Sequence, residues 1–81
     1  KFVGDSNATI LKKGQSARIT DINIDEIPLK LIEMGCLPGN DIELIQIAPM
    51  GDPLFFNIND SKVAIRKKTA SAIYISLESI K

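Results

Sequence analysis

LIEMGCLPG, residues 31–39, is the stretch that decides how this chain folds. It contains the end of an apolar helical stripe, because Ile27, Leu31 and Met34 are spaced at i, i+4 and i+7. Gly35 follows the last of them, and glycine commonly ends a helix because it adopts the left-handed conformation without strain. The stretch therefore predicts a helix that ends at Gly35 and is followed by turns and strands.

The start of this helix is indicated by Asp25 and Pro28. Aspartate is a favourable N-cap residue, and proline is tolerated in the first turn because its missing N–H would have no partner there. We therefore expect the helix to run from about Glu26 to Met34.

Short apolar alternations on both sides of the helix predict strands. The first, residues 16–24, changes parity near Thr20 and Asp21, and this change predicts a bulge. Asn59 and Asp60 predict a tight turn, because both residue types tolerate positive φ. Further strands are expected at residues 41–47, at residues 54–58, around Val63 and Ile65, and at residues 73–77, with one helical turn at residues 67–72 before the last.

This order of elements predicts a mainly β fold. About five short strands in a chain of 81 residues favour a small barrel, because closure removes exposed strand edges. A parallel sheet is not expected, since no strand–helix–strand pattern repeats. Residues 1–8 have no hydrophobic period, so we expect them to form a flexible N-terminal tail and residues 9–81 to form one domain.

The charge balance argues against nucleic acid as a partner. Ten basic and ten acidic residues cancel, whereas phosphate binding needs clustered lysine and arginine. The local basic patch formed by Lys62, Arg66, Lys67 and Lys68 is interpreted as a solvated face. No apolar run is long enough to enter a membrane and no signal peptide is visible, so we expect a cytoplasmic protein.

The residues that usually carry catalysis are missing. There is no histidine, which removes the commonest general base and transition-metal ligand, and the one cysteine, Cys36, can form neither an internal disulfide nor a thiolate metal site by itself. We interpret Cys36 as a small core residue. Carboxylates at Asp21, Asp25, Glu26 and Asp60 are interpreted as solvated rather than as a hard-cation site. We therefore expect no enzyme and no catalytic, cofactor-binding or metal-binding residues.

Three motifs together resemble the ferrous iron transport protein A (FeoA) domain family. They are Lys30-Leu31-x-x-Met34-Gly35-x-x-Pro38-Gly39, the loop Ala48-Pro49-Met50-Gly51-Asp52-Pro53, and Val63-Ala64-Ile65-Arg66. The resemblance implies an SH3-like β-barrel of about five to six antiparallel strands, with one short helix after the first strand and a helical turn before the last. The structural signature residues are Leu31, Met34, Gly35, Pro38, Gly39, Ala48, Pro49, Gly51, Pro53 and Arg66.

The resemblance also implies a function. Members are small cytoplasmic accessory proteins of bacterial ferrous iron uptake, thought to act on the cytosolic GTPase part of the membrane permease FeoB. The alternative is a metal-sensing regulatory domain, like the SH3-like domain at the C-terminus of iron-dependent repressors, with weak or regulatory binding of a divalent transition metal. A polyproline-binding adaptor is disfavoured because the chain has no tryptophan. The chain departs from the family at Cys36, at Asp60, and in the charge of Lys67 and Lys68.

Several apolar residues have no place in the inward alternation and suggest a partner surface or self-association. Scattered surface apolar residues are also ordinary, and the helix and tail could cover several of them. The candidate partner surface consists of Ile32, Ile45, Ile47, Phe55 and Tyr74, with Met50 and Asp52 from the loop.

Overall fold

The computed structural model describes residues 6–77. Six strands form one antiparallel sheet in the order β1-β6-β2-β3-β4-β5. The strands are β1 Ser6–Asn7, β2 Ser16–Ile22, β3 Asp41–Ile47, β4 Leu54–Ile58, β5 Ser61–Ile65 and β6 Ile73–Ser76, and the helices are α1 Leu29–Glu33 and α2 Lys67–Ala70. This arrangement confirms the predicted mainly β fold, with a short helix after the first long strand and a helical turn before the last.

One hydrophobic core lies against the inner face of this sheet. The five longer strands each contribute to it, and Ile19, Ile42, Phe56, Ile65 and Ile75 are all buried in the same cluster. Each such side chain contributes about 1.5–3 kcal/mol when it is removed from water. Because all these strands surround one cluster, the sheet curves around it.

The two edges of the sheet, β1 and β5, are joined by packing rather than by strand pairing. A 3-10 turn, Ala8–Ile10, follows β1 and contacts α2, which follows β5. Within the described residues, β5 pairs with β4 alone. The predicted closure therefore depends on side chains at this seam, and β5 keeps a free hydrogen-bonding edge.

Two bulges set the register of the sheet. The first lies between Ile19 and Asp21, where β2 pairs with β6, and confirms the predicted break in that strand. The second lies between Leu44 and Gln46, where β3 pairs with β4, and the sequence did not predict it. A bulge places an extra residue on one strand, so the alternation of β3 does not continue unchanged to Ile47.

The predicted start of the helix was wrong. Residues Ile24–Glu26 form a separate 3-10 turn, in which the Asn23 side chain accepts a hydrogen bond from the Asp25 backbone N–H. Ile27 is extended, at φ −108° and ψ 121°, and α1 begins after Pro28. The physical reason is that a proline disfavours the helical conformation of the residue before it. Asp25 is therefore not the N-cap of α1.

The end of the helix is as predicted. Gly35 has φ +109° and donates its N–H to the Ile32 carbonyl at 3.1 Å, while the Cys36 N–H reaches the Leu31 carbonyl at 3.0 Å. These two bonds form a Schellman motif, which satisfies carbonyls left free by the helix end. Cys36, the last residue of the motif, is completely buried, as predicted for a small core residue.

The predicted N-terminal tail is only partly within the described residues. Residues 1–5 lie outside them. Ser6 pairs with Ile75, Asn7 pairs with Tyr74, and Ala8 is completely buried, so a tail is the wrong interpretation of these three residues. The strand is short enough to carry no alternation in the sequence, and its pairing with β6 holds it in place. No helix in residues 6–77 has both the length and the hydropathy to cross a membrane.

Candidate partner-binding site

The loop between β3 and β4 presents an exposed methionine on a fixed backbone. The Ala48 N–H donates to the Pro53 carbonyl at 3.1 Å, and the Gly51 N–H donates to the Ala48 carbonyl at 2.8 Å. Gly51 has φ +91°, a conformation that glycine adopts readily. Met50 lies within this turn with 91% of its surface exposed. The loop therefore holds Met50 where a partner could contact it.

Asp52 of the same loop has a structural contact. Its carboxylate accepts a hydrogen bond from the backbone N–H of Lys67 at 2.9 Å, in the first turn of α2. The N-cap residue of α2, Arg66, makes no side-chain cap hydrogen bond, so Asp52 performs the capping from a distant part of the chain. This candidate contact residue thus fixes the loop against α2.

The outer face of the β3–β4–β5 region carries an apolar concavity. It has a volume of about 290 Å³ and is lined by Ile45, Gln46, Phe55 and Lys62. Phe55 is 37% exposed, and it pairs with Gln46 on one side and Ala64 on the other. Two apolar candidates, Ile45 and Phe55, are therefore brought together beside a lysine. We refer to these four lining residues as the Phe55 concavity.

Ile47 lies near the concavity, whereas Tyr74 and Ile32 lie elsewhere. Ile47 is 43% exposed at the last pair of β3 and β4, opposite Leu54. Tyr74 is on β6, three strand positions from β4, which corresponds to about 14 Å at the usual strand spacing. Ile32 is partly buried and packs against the core. The predicted residues therefore do not form one continuous patch.

Two strongly exposed apolar residues lie outside the predicted partner surface. Ile24 is 63% exposed, because it begins a 3-10 turn instead of ending the first strand as predicted. Leu29, which has no place in the inward pattern, is 67% exposed in the first turn of α1. The Asn-x-Asp-Glu sequence at residues 23–26 is polar and turn-forming, and this signal agrees with the separate turn.

A second apolar cleft lies between α1, β5 and α2. Its volume is about 430 Å³. The apolar periodicity of the sequence directs Leu31, Met34 and Val63 towards the core, yet all three are only partly buried and line the cleft. The shortness of α1 leaves this space open beside β5. We refer to it as the β5 cleft; its lining residues are Pro28, Lys30, Leu31, Met34, Val63, Ala64, Ile65, Arg66 and Thr69.

The turn after α1 connects the helix to β2. The Gly39 N–H donates to the Ile19 carbonyl at 2.8 Å, and the Ile19 N–H donates to the Asn40 carbonyl at 2.8 Å. The Asn40 side chain in turn donates to the Gly35 carbonyl at 2.8 Å. Gly35 and Gly39 therefore take part here through their backbone groups, and Pro38 is exposed between them.

The acidic side chains of residues 6–77 do not converge on a metal-binding arrangement. A polar depression of about 410 Å³ is lined by Asp41, Glu43 and Asp60 among other polar residues. Asp41 forms an exposed ion pair with Arg18, with 3.6 Å between Oδ1 and Nε. In the part of the chain that the structure describes, no three histidine, cysteine, aspartate or glutamate side chains are grouped as potential ligands.

Comparison with known proteins places this geometry in a family. The model of the FeoA domain matches residues 8–77, which include both glycine-containing turns and every strand from β2 to β6. The chain belongs to the FeoA domain family. This result confirms the family resemblance that the three motifs indicated.

Two relatives support the assignment to the FeoA family. A fusion of Fe(2+) transport protein A with the Fe(2+) transporter FeoB from Porphyromonas gingivalis is 36% identical over 48 residues, which cover 59% of this chain and 6% of the fusion protein. The solution structure of iron(II) transport protein A from Clostridium thermocellum is 32% identical, with a TM-score of 0.76, and the match covers 90% of this chain and 46% of that one. The chain thus spans less than half of either relative.

A third comparison concerns the fold alone. The zinc complex of FeoA from Stenotrophomonas maltophilia, described as a procaryotic SH3 domain protein, superposes with a TM-score of 0.73 at 21% identity. The match covers 86% of this chain and 88% of that one. The sheet of this FeoA domain is therefore SH3-like, as predicted.

Proposed function

We propose that this FeoA domain is a small cytoplasmic accessory protein of bacterial ferrous iron transport. It acts by binding the cytosolic GTPase part of a FeoB permease, with no catalysis and no resident cofactor of its own. The observation that carries this proposal is the relative in which Fe(2+) transport protein A and FeoB are one polypeptide. Fusion holds two modules at high effective concentration, which benefits modules that contact each other.

The Phe55 concavity supports the proposal as the contact surface. An exposed aromatic side chain beside an apolar neighbour is typical of an interface centre, where aromatic anchors contribute most of the binding energy. Met50 is presented on the loop that joins β3 to β4, and methionine adapts its shape to a partner surface. We propose that both contact the permease, with Ile45 and Ile47 alongside.

The test is the affinity of the chain for the purified cytosolic part of the FeoB permease from the same organism. It is measured by calorimetry with GDP and with a non-hydrolysable GTP analogue. We expect Phe55→Ser to weaken binding at least about tenfold, since interface aromatic anchors cost 2 kcal/mol or more when truncated. Ile24→Ser is the matched control, because it removes an exposed apolar side chain from another part of the surface.

Two outcomes would contradict the proposal. Absence of binding in both nucleotide states is one. The second is an equal loss of affinity in Phe55→Ser and Ile24→Ser, because it would show that the Phe55 concavity is not the contact surface. Titration of the isolated chain with Fe(II) and Mn(II) tests the metal-sensing alternative, and stoichiometric binding without permease binding would favour it.

A further inference from the structure

The outer edge of β5 presents backbone groups that have no strand partner among residues 6–77. Asn59 and Asp60 form a two-residue hairpin loop with φ +53° and +67°, so the pair that flanks the loop, Ile58 and Ser61, is hydrogen-bonded. Hydrogen-bonded and non-hydrogen-bonded pairs alternate along an antiparallel ladder, so the pairs that contain Lys62 and Ala64 are not hydrogen-bonded. The N–H and C=O groups of Lys62 and Ala64 therefore point away from β4. Within residues 6–77, no backbone hydrogen bond outside the β4–β5 pairing involves either residue.

The β5 cleft runs along this free edge. Four successive residues, Val63 to Arg66, line one side of it, and Leu31 of α1 and the C-cap residue Met34 line the other. Its lining is mainly apolar, and Leu31, Met34 and Val63 are each only partly buried. A free strand edge beside an apolar groove is the arrangement used in β-strand addition, where main-chain hydrogen bonds supply affinity and alternate side chains supply specificity.

The charges around the cleft have one sign. Lys30 and Arg66 are the charged residues among those that line it, and both are exposed. Lys62 is exposed on the same strand, in the second pair after the hairpin loop. None of these three cations has an ion pair in the part of the chain that is described, where the Arg18–Asp41 pair accounts for the salt bridges. An occupant with acidic side chains would therefore complement this rim.

We propose that the β5 cleft binds an extended segment of a partner protein, in which apolar and acidic residues alternate, as a further strand on β5. The apolar side chains of the segment face the core side and contact Leu31, Met34 and Val63. Its acidic side chains face outward, beside Lys62 and between Lys30 and Arg66. The backbone of the segment pairs with the free groups of Lys62 and Ala64.

A second copy of this chain is a poorer occupant of the edge. Pairing of two β5 edges would place the basic side chains of one copy against those of the other, and like charges across strands are destabilising. Lysine on an edge strand opposes such edge-to-edge association. The proposal does not require the partner to be the permease, because it specifies only the chemistry of the bound segment and the way in which the segment binds.

The experiment uses short synthetic peptides as the probe. An acetylated and amidated hexapeptide that alternates glutamate and valine is compared with one that alternates lysine and valine, by calorimetry and by NMR of the 15N-labelled chain. We expect the acidic peptide to bind with a Kd below about 1 mM, which corresponds to about −4 kcal/mol, and the basic peptide to bind at least about tenfold more weakly. Equal affinity, or no binding of the acidic peptide, overturns the proposal.

Backbone pairing is tested with two N-methylated isomers of the acidic peptide. One isomer carries methyl groups on the first, third and fifth amides and the other on the second, fourth and sixth, so each blocks a different edge of the extended peptide. We expect one isomer to bind and the other to lose binding. If both isomers bind like the parent peptide, the segment does not bind as a strand and the proposal is wrong.

The matched variants are Ala64→Pro and Ala64→Thr. Proline is tolerated on an edge strand where the N–H faces away from the sheet, and here it removes the donor that the peptide needs. We expect Ala64→Pro to weaken peptide binding about tenfold or more. Ala64→Thr keeps the backbone N–H, so we expect it to change binding by less than about threefold, which is no more than the effect of one hydrogen bond. A loss of binding with threonine equal to that with proline would overturn the proposal.

Hydrogen exchange of the unsubstituted chain gives a second readout, which does not depend on whether a variant folds. The amides of Lys62 and Ala64 face solvent, whereas that of Val63 is directed to β4. We expect saturating acidic peptide to slow exchange at Lys62 and Ala64 at least about tenfold beyond any change at Val63. Unchanged exchange at both positions would contradict strand addition.

Discussion

Two stretches rich in glycine and proline, residues 35–39 and residues 48–53, have similar residues but different structural roles. Both contain glycines at positive φ and both contain proline. Gly35 is buried, and a Cβ atom built on it would lie 2.7 Å from the Asn59 Cβ. A Cβ atom on Gly51 would meet only the Lys67 Nζ, at 3.9 Å. The first stretch is therefore enclosed by the fold at Gly35 and Cys36, whereas the second is fixed at its base and exposed at its tip.

This difference shows that a motif by itself does not reveal how much the fold depends on it. Three features require glycine at position 35: the left-handed backbone, the Schellman hydrogen bonds that depend on it, and the close contact with Asn59 in the β4–β5 turn. At Gly51 the left-handed backbone is the only requirement. Substitutions in the two stretches should therefore separate a structural dependence from a surface that is free to serve a partner.

The largest effect is expected for Gly35→Ala. The positive φ and the close approach of Asn59 both oppose a side chain, so we expect a loss of about 2–4 kcal/mol in the free energy of unfolding. Gly51→Ala, which has space around its Cβ, should cost about 1 kcal/mol from the backbone alone. Urea denaturation of the two variants measures the difference. Equal losses would show that the contact with Asn59 contributes nothing.

The next effect concerns Cys36, which is buried beside Gly35. Burial raises the pKa of the Cys36 thiol from 9.0 to about 11, because the thiolate is poorly solvated there. The folded state thus holds its proton at a pH where the unfolded state releases it. The stabilisation is complete below pH 9 and is lost as the pH rises towards 11.

We expect the unaltered chain to lose about 2 kcal/mol more than Cys36→Ala across this alkaline range, as the linkage of a thiol with these two pKa values requires. Cys36→Ala is the control because lysine and tyrosine residues titrate there in both proteins. Denaturation at several pH values measures the difference. Parallel pH profiles would show that the thiol ionises equally well in both states.

A smaller effect is expected in the exposed stretch for Asp52→Ala. This variant loses the acceptor for the Lys67 N–H, and removal of a helix cap costs about 1 kcal/mol. Asp52→Asn retains an acceptor oxygen and should cost no more than about 0.5 kcal/mol. Thermal unfolding of both variants tests this. If alanine and asparagine are equivalent, the bond to α2 does not stabilise the loop.

The smallest effect on stability is expected for Met50→Ala. Met50 is almost fully exposed, so the free energy of unfolding should change by less than about 0.5 kcal/mol. The same variant should weaken binding to the cytosolic part of the permease. A stability loss above about 1 kcal/mol would place Met50 among the residues that support the fold, and would remove the contrast between the two stretches.

Much of the fold could be predicted from local signals. The strands Asp41–Ile47 and Leu54–Ile58, the turn at Asn59 and Asp60, and the bulge near Thr20 are all as expected. Each depends on alternation or on backbone preferences that are encoded within a few residues. The candidate site was less predictable. Ile45 and Phe55 do lie together, yet Tyr74 is separated from them by the order of the strands, which no local pattern contains.

The sequence by itself determined the five longer strand segments, most of the residues that face the core, and the position at which the helix ends. These features follow from side-chain periodicity and from the conformations that glycine and proline allow. Only the tertiary structure decided that residues 6–8 join the domain, that Asp52 caps α2, and that β5 is an edge beside an apolar cleft. The reason is that these features depend on contacts between residues far apart in the chain, and such contacts exist only once the sheet has curved around its core.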